Sequence, residues 1–364
     1  MKNKNYILAL LVMSIFVASC KKEEELICID NTDPLADYVA TPHSFSLPNF
    51  VLNSPFGGEL ISPVYNPLTV EGIALGRKLF YDKKLSGDNT MACASCHLQE
   101  DGFSDKNQFS EGISGDFGDR QAMAIFNLGW DELFFWDGRS EGLEAQAFAP
   151  VTNPIELNAT WPDVVAKLQT DAEYPALFKK AFDTYRIDSV LVSQAISQFE
   201  RTMISFNSRF DKFMYEGEDV FNDSEERGFD LFFDKAECIH CHSGPMLNDP
   251  SFRNNGLDVV FADKGLGKVT GDPSDDGKFK VTSLRNIAQT APYMHDGRFE
   301  TLEEVIEHYN SGVDSLSPNL DEEMFHFAEG LGLTNQEKTD LIAFLLTFTD
   351  DEFLTNPAFS DPNE

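Results

Sequence analysis

Two Cys-x-x-Cys-His pentapeptides, at residues 93–97 and 238–242, are the groups in this chain best suited to chemistry. In such a motif the two thiols can each form a thioether with one vinyl group of a haem, and the following imidazole can bind the iron. One copy could arise by chance, whereas two copies indicate two covalently attached c-type haems. The residues predicted to hold them are Cys93, Cys96, His97, Cys238, Cys241 and His242.

Other uses of these cysteines fit less well. Four thiolates could form one tetrahedral zinc site if the two motifs met in space. Zinc would not need the histidine that follows each pair, and the chain has the length and aromatic content that a haem protein needs. Six cysteines in 364 residues are sparse for a disulfide framework, and four of them sit in close pairs. The zinc site stays open as the weaker alternative.

The first residues have the pattern of an export signal. Two lysines precede an apolar run over residues 6–17, which is too short to span a bilayer as a mature helix, so residues 1–19 are assigned to a signal peptide. Cys20 follows small residues and resembles a bacterial lipoprotein attachment site. This predicts a periplasmic protein that a lipid on Cys20 anchors to the outer membrane, with ordinary signal cleavage as the alternative. No role is predicted for Cys28.

The chain is strongly acidic, with 61 Asp and Glu residues against 28 Lys and Arg residues and a net charge of −33. This charge excludes nucleic acid as a partner. It favours encounter with a basic protein, such as a positively charged electron donor, although acidity for solubility alone explains the composition equally well.

An internal repeat relates the two halves of the chain. Residues 76–82 before the first haem motif and residues 228–234 before the second share the same spacing of Gly, Leu, Phe and Asp. After each motif an Asn stands ten residues before an Asp-Gly-Arg block, and these residues are Asn127 and Asn286. The repeat predicts two tandem cytochrome c-like haem domains, which are residues 62–206 and 207–350.

Helical periodicity dominates around these blocks, so the fold class is predicted to be mainly α. A capping box of Thr334 and Glu337 begins one helix. Residues 20–61, rich in Pro, Asn and Ser, are predicted to be a lipid-anchored tether and irregular segment, and residues 351–364 a polar tail. The other expected helices are residues 163–168, 176–185 and 189–206.

Three further stretches carry a recognisable pattern. They are residues 135–139 (Phe-Trp-Asp-Gly-Arg), 153–156 (Asn-Pro-Ile-Glu) and 284–297. The last of them begins with Leu-Arg-Asn and ends with Ala-Pro-Tyr-Met-His-Asp-Gly. With the two haem motifs, they make residues 62–350 resemble the bacterial di-haem cytochrome c peroxidases and the related MauG-type enzymes. The resemblance implies that the N-terminal haem reacts with peroxide and that the C-terminal haem receives and relays electrons.

The resemblance also implies catalytic roles for two side chains. Glu156 matches the distal-pocket carboxylate of the peroxide-reacting haem, and Trp136 matches the tryptophan between the two haems. A carboxylate over an open iron can take a proton from one peroxide oxygen and return it to the other. Outside this context a glutamate is usually a surface charge and a tryptophan a core residue.

The sixth ligand of the second haem departs from the peroxidase pattern. Alignment with the family puts Tyr309 where peroxidases usually carry methionine and MauG-type enzymes carry tyrosine. A phenolate stabilises ferric iron more than a thioether does, so a lower reduction potential is expected for this haem. The equivalent position in the first repeat is Pro150, which cannot bind iron, in keeping with an open first haem. The rival ligands are Met294, His295 and His308.

A second departure concerns the first haem. Peroxidases of the family carry a histidine after the first motif that caps the iron until the other haem is reduced, and here that position falls near Ile113. The sequence has no histidine between His97 and His240. The first haem is therefore expected to be five-coordinate or water-bound without prior reduction, with Met123 as the less favoured cap.

The resemblance finally implies a structural calcium ion between the two domains. Its ligands in the family are an Asn side chain and two backbone carbonyl oxygens. The carbonyl positions match Thr290 and Pro292. Gln121 stands at the Asn position, where its amide still offers a hard oxygen ligand but reaches one methylene further.

Taken together, these features predict an exported di-haem peroxidase. Hydrogen peroxide would be reduced at the His97 haem with electrons from a cytochrome c or similar donor, arriving through the His242 haem and Trp136. The alternative is a MauG-like oxidase that draws electrons from a protein side chain or small molecule, which Tyr309 and the missing capping histidine favour. A third possibility, of another class, is a non-catalytic electron-transfer cytochrome with both irons six-coordinate. A homodimer is also compatible with the sequence.

Overall fold

The computed structural model describes residues 33–55 and 57–363. The chain separates into two compact units, Met1–Asp37 and Tyr38–Glu364, and every described helix and strand belongs to the second. The signal peptide, the lipid attachment at Cys20 and Cys28 lie outside the described residues. Within the described part of the chain, no helix is both long and apolar enough to cross a bilayer.

Helices make up most of the regular structure, as the periodicity predicted. Short 3-10 turns join them, and wider π turns follow α7 and α10. The prediction of a helix-rich fold is confirmed, while the division into two tandem haem domains stays a prediction. The helices are α1 (Asn49–Leu52), α2 (Val70–Phe80), α3 (Leu143–Thr152), α4 (Trp161–Gln169), α5 (Tyr174–Phe182), α6 (Ser189–Glu200), α7 (Arg209–Asp211), α8 (Asp223–Phe233), α9 (Leu266–Thr270), α10 (Leu302–Glu307), α11 (Phe325–Ala328), α12 (Asn335–Leu346) and α13 (Asp351–Thr355).

Strands among the described residues are confined to two short antiparallel pairs. β1 (Leu133–Phe134) pairs with β2 (Ser140–Glu141), and β3 (Phe252–Arg253) pairs with β4 (Phe279–Lys280). The turn between β1 and β2 contains Trp136. The backbone N–H of Lys280, in β4, donates to the carbonyl oxygen of Trp136 at 2.9 Å, so the two ribbons are joined where that tryptophan sits.

Local side-chain signals set where the main helices begin. The Thr69 hydroxyl accepts from a backbone N–H in the first turn of α2, and the Asp188 carboxylate does the same for α6. The predicted capping box of Thr334 and Glu337 is present at α12, with both reciprocal hydrogen bonds made. The predicted helices between residues 163 and 206 correspond to α4, α5 and α6, although α6 ends at Glu200 rather than at residue 206.

The internal repeat corresponds to a repeated helix crossing. α2 crosses α6 at Gly76, and α8 crosses α12 at Gly228. A Cβ atom at Gly76 would lie 1.9 Å from the carbonyl oxygen of Ala195, and one at Gly228 would lie 2.0 Å from that of Asp340. Only glycine allows these backbone approaches, which explains why the same residue begins both repeated segments.

The two repeated asparagines make backbone hydrogen bonds to residues just beyond the ends of α6 and α12. Asn127 and Asn286 are both buried and both have a positive φ. The backbone N–H of Asn127 donates to Met203, and that of Asn286 donates to Phe348. Met203 and Phe348 are therefore structurally equivalent. The end of α6 is set by this contact, because the backbone beyond Glu200 turns to meet Asn127.

Buried apolar side chains form two large clusters. One extends from Leu75 to Met203 around α2 and α6, and the other from Phe210 to Phe348 around α8 and α12. The first cluster also contains Phe353 and Phe359, which are 2 % and 7 % exposed. The prediction of a polar tail over residues 351–364 was wrong, because two aromatic side chains in that stretch return to the core of the first half and residues 351–355 form α13.

Candidate haem sites

The first haem motif forms a 3-10 turn over Cys93–Ser95 after α2 and its loop. The backbone N–H of Ala92 donates to the Ser95 hydroxyl at 3.0 Å, which fixes the turn. His97 Nδ1 lies 2.8 Å from the carbonyl oxygen of Phe103, which has a φ of +56°. A carbonyl can only accept, so Nδ1 carries the proton and Nε2 keeps a free lone pair for iron.

The second motif repeats this geometry. Its 3-10 turn spans Cys238–His240, and His242 Nδ1 lies 3.2 Å from the carbonyl oxygen of Leu247, which also has a positive φ. Burial is the main reason that the pKa of His242 falls to about 4, and it lowers the pKa of His97 as well. Both imidazoles are therefore neutral and oriented as haem ligands, so these residues fit the haem that the motifs imply.

The four motif cysteines line two separate cavities. Cys93 and Cys96 line the first and Cys238 and Cys241 the second, and burial raises the pKa of all four thiols. Among the described residues, no three His, Cys, Asp or Glu side chains converge as a metal site. The zinc alternative has no geometric support, because its four thiolates would have to meet at one point.

The first cavity, of about 930 Å³, contains His97 and the predicted catalytic carboxyl. Glu156 follows α3 in a turn in which Asn153 Nδ2 donates to Glu156 Oε1 at 2.5 Å. Burial raises the pKa of Glu156, while the Asn153 hydrogen bond and the charge of Arg139 oppose the rise. The structure thus places one carboxyl with a raised pKa and one candidate ligand imidazole on the same cavity, together with Pro150.

His97 is the one histidine among the described residues that line the first cavity. Ile113, where peroxidases have the capping histidine, donates its backbone N–H to the carbonyl oxygen of Glu156 at 3.1 Å. Next to it, a Cβ atom at Gly112 would lie 1.7 Å from the carbonyl oxygen of Ile155, so this loop is tightly packed against the Glu156 turn. Met123, the rival cap, lines both cavities.

Trp136 also lines both cavities. Its indole Nε1–H donates to the backbone carbonyl oxygen of Gln121 at 2.9 Å. Phe135, immediately before it, has a φ of +66°, which turns the chain sharply at this point. With its backbone held by Lys280 and its ring held by Gln121, the indole has a fixed place between the two cavities.

The second cavity brings Tyr309 together with His242 and the second pair of cysteines. The phenol oxygen of Tyr309 lies 3.3 Å from Asn255 Nδ2, and Met294 Sδ lies 3.5 Å from the same nitrogen. Burial raises the pKa of Tyr309 to about 12. The phenol is neutral in these surroundings, and ferric iron would provide the positive charge that ionises it.

The rivals of Tyr309 are placed differently from one another. Met294 and His295 line the second cavity, but His295 stacks on Phe279 with a ring-centroid distance of 3.6 Å. His308 does not line this cavity, and its Nε2 faces the carbonyl oxygen of Asn255 at 3.1 Å. Tyr309 and Met294 are therefore the better placed candidates.

The three residues of the implied calcium site, which are Gln121, Thr290 and Pro292, all line the second cavity. The Gln121 amide donates from Nε2 to the Ser104 hydroxyl at 2.7 Å, which leaves Oε1 as its acceptor atom. Oxygen ligands suit calcium, so the donor set is compatible with that ion, and the site stays a prediction.

Several site residues had no sequence signal strong enough to single them out. The carbonyl acceptors of Phe103 and Leu247 depend on positive φ angles that sequence does not reveal. Asn255 lies 54 residues before Tyr309 in sequence, in a stretch that carries no recognisable pattern. Glu200, which lines the first cavity, is one of 61 acidic residues. Its i, i+4 relation to Ile196 on an apolar helix face was the only sequence signal that its side chain is buried.

Comparisons with known proteins agree with this arrangement. A family profile described as di-haem cytochrome c peroxidase matches residues 70–219. The methylamine utilization protein MauG of Methylorubrum extorquens is 38% identical over 289 residues, which cover 78% of this chain and 80% of MauG. The cytochrome c551 peroxidase of Nitrosomonas europaea is 31% identical over 300 residues, covering 81% of this chain and 85% of the peroxidase.

Among solved structures, a MauG-like protein associated with microbial copper homeostasis has 39% sequence identity and a TM-score of 0.79. The match covers 88% of this chain and 100% of that protein. Identity of this extent over most of both chains reflects common ancestry, and the two haem motifs lie within the matched part. The chain belongs to the di-haem cytochrome c peroxidase and MauG family of oxidoreductases, and two c-type haems are its cofactors.

Proposed function

We propose that this chain is a peroxidase that reduces hydrogen peroxide to water at the haem of the first cavity, without prior reduction of either haem. The overall reaction consumes one peroxide, two electrons and two protons and yields two water molecules. The observation that carries the proposal is the first cavity itself, in which Glu156 accompanies His97 and no second imidazole from the described residues lines the wall.

Glu156 supplies the acid–base step. A haem held by His97 with an open position on its iron would supply the place where peroxide binds and the two electrons that cleavage of the O–O bond consumes. Glu156 takes the proton from the first peroxide oxygen and returns it to the second, which must leave as water. Asn153 holds Oε1, so Oε2 is the oxygen free to move the proton. A carboxyl whose pKa is raised by burial can perform both halves of this task nearer to neutral pH.

Trp136 positions the electron route. Its indole lies between the two cavities and is fixed by the hydrogen bond to Gln121, so electrons that arrive at the second haem have an aromatic side chain to cross on the way to the first. Because the indole is held rigidly, the length of the electron route between the two haems would stay constant.

A MauG-like oxidase is the second candidate, and Tyr309 favours it. An anionic oxygen ligand stabilises ferric iron, so a tyrosine-bound second haem accepts electrons poorly from high-potential donors. The two oxidising equivalents of peroxide would then be drawn from a protein side chain or small molecule at the surface. The identity to MauG and to the MauG-like protein of copper homeostasis supports this candidate.

The remaining partners follow from sequence-level expectations. We place the protein in the periplasm, tethered to the outer membrane by a lipid on Cys20, where an acidic surface favours a basic electron-donor protein. A calcium ion at Gln121, Thr290 and Pro292 would brace the second cavity, and a homodimer is compatible with the family.

The test is to add hydrogen peroxide to the haem-loaded, fully ferric protein and to follow its optical and electron paramagnetic resonance spectra. We expect an immediate spectral change. No change until one haem has been reduced would mean that a capping ligand exists and would overturn the proposal.

Turnover separates the remaining candidates. Consumption of two reduced cytochrome c molecules per peroxide supports the peroxidase. A peroxide response with no such turnover supports the MauG-like oxidase. A protein that responds to peroxide in neither redox state is an electron-transfer cytochrome.

A further inference from the structure

Glu200 is a buried carboxyl that none of the steps above uses. It is the last residue of α6, is 3 % exposed, and lines the first cavity together with Ile196 one helical turn before it. Its Oε2 is buried and has no hydrogen-bond partner among the described residues. An ionised carboxylate without a partner is strongly disfavoured in such surroundings, so the neutral acid is the stable form unless a positive charge is nearby.

Among the described residues, no cationic side chain forms an ion pair with Glu200. Arg201 forms a bidentate pair with Glu144 of α3, with distances of 2.8 and 2.9 Å. On α2, Arg77 and Lys78 bond to groups elsewhere. Burial is the main cause that raises the pKa of Glu200 to about 8, with Arg201 opposing and Glu144 adding to the rise.

The other groups that face this region are also accounted for. Lys167 of α4 donates to two backbone carbonyl oxygens. Across the cavity, Arg139 pairs with Asp137, and Glu156 is held by its own turn. The charge of Glu200 raises the pKa of Cys93, so the carboxyl lies near the thiol that would carry the haem thioether.

The second half of the chain has no acid at the equivalent place. Because Met203 is equivalent to Phe348, Glu200 is equivalent to Leu345, which is 6 % exposed and belongs to the second apolar cluster. The scaffold at this position therefore accepts a plain apolar side chain. A carboxyl here is a feature of the first haem cavity and not a requirement of the fold.

We propose that Glu200 binds the proton that is coupled to reduction of the first haem. Reduction adds one electron to the iron and removes one positive charge from the cavity, so one proton from solvent binds the Glu200 carboxylate. Oxidation releases that electron and that proton, and no bond other than the O–H bond changes. Glu200 thereby keeps the charge of the cavity constant. The inference requires a haem in the first cavity and does not depend on the peroxidase reaction.

The test is a potentiometric titration of the holoprotein from about pH 6 to about pH 9, a range that brackets the pKa of Glu200. The haem of the first cavity is identified as the one whose spectrum changes in Glu156→Gln, because Glu156 lines the first cavity and not the second. For the parent protein we expect its midpoint potential to fall by about 59 mV per pH unit between the pKa values of Glu200 in the two redox states.

Two variants and one matched control decide the outcome. Glu200→Gln and Glu200→Leu should remove the slope and leave the potential at its high value, because a neutral side chain cannot lose a proton. Glu156→Gln, which alters another buried carboxyl of the same cavity, should keep the slope. A slope that persists in both Glu200 variants, that vanishes in Glu156→Gln instead, or that is absent from the parent protein overturns the proposal. Haem absorbance before titration verifies that each variant is loaded and folded.

Discussion

Replacement of Glu156 by glutamine tests the acid–base step most directly. The two side chains have the same shape, so the amide oxygen of the variant can still accept from Asn153 and the cavity keeps its size. What is lost is the ability to take and return a proton. A positioned general acid–base group contributes about 10²- to 10⁴-fold to rate, which equals about 2.7 to 5.4 kcal/mol of activation free energy.

The assay is the rate at which peroxide changes the haem spectrum of the ferric protein in a stopped-flow instrument. We expect Glu156→Gln to slow this rate by about 10³-fold, in the middle of that range, while haem content stays unchanged. Glu218→Gln is the matched control, because Glu218 is an exposed glutamate that lines neither cavity. A rate in Glu156→Gln within about threefold of the parent would refute the reasoning, since the loss of a proton-transfer group cannot be that small.

The pH dependence gives a second check on the same group. The carboxylate form must start the reaction, so the rate should fall as pH drops through the pKa of Glu156, which burial raises. The Asn153 hydrogen bond lowers that pKa, so Asn153→Ala should raise it further and move the acid limb of the profile to higher pH. An acid limb that stays in place would show that another group titrates.

Three other predictions concern the second haem and the fold. Tyr309→Met should raise the reduction potential of the second haem by more than about 60 mV, a tenfold change for one electron, and an unchanged potential in a redox titration would exclude Tyr309 as a ligand. Phe353→Ala should lower the free energy of unfolding by about 3–5 kcal/mol in urea, because Phe353 is 2 % exposed, whereas Phe325→Ala, at 56 % exposed, should cost far less. Asp211→Asn should also cost about 3–5 kcal/mol in the same assay, since it leaves the fully buried Arg285 without its ion-pair partner at 2.6 Å, and a smaller loss would mean that water reaches the pair.

Features that depend on short stretches of sequence were predictable. The two haem turns, the capping box at Thr334 and the helix-rich class each follow from residues within a few positions of one another. The repeat also predicted equivalent places for Gly76 and Gly228, which the structure explains by two close helix crossings. These signals are local or periodic, so a single sequence contains them.

Features that depend on tertiary contact were not predictable. The stretch over residues 351–364 is polar in composition, and nothing in it shows that Phe353 and Phe359 return to a core formed by residues far away in sequence. The burial of Glu200 depends on the packing of three helices around a cavity. Asn255 meets Tyr309 and Met294 although it lies 54 and 39 residues away from them in sequence.

The functional difference that we propose between the two halves would come from different residues at equivalent positions of one scaffold. Trp136 and His295 occupy matching positions in the repeat, and each is held by the opposite half. The backbone N–H of Lys280 donates to the carbonyl oxygen of Trp136, and that of Gln121 donates to the carbonyl oxygen of His295, both at 2.9 Å. The scaffold therefore fixes a side chain at each of these two places in the same way.

The two halves differ in the side chains at two other pairs of equivalent positions. The first half has a proline at position 150 where the second has Tyr309, and an acid at position 200 where the second has Leu345. Under the proposed roles, the first half of each pair has the residue that would leave the iron open or add a proton-binding group. The second half has the residue that would close the iron or leave the core apolar. This asymmetry predicts that exchanging Pro150 with Tyr309 and Glu200 with Leu345, with the backbone contacts kept, would move peroxide reactivity away from the first cavity. If the exchanged protein still reacted with peroxide at the first cavity, the roles assigned to these four positions would be wrong.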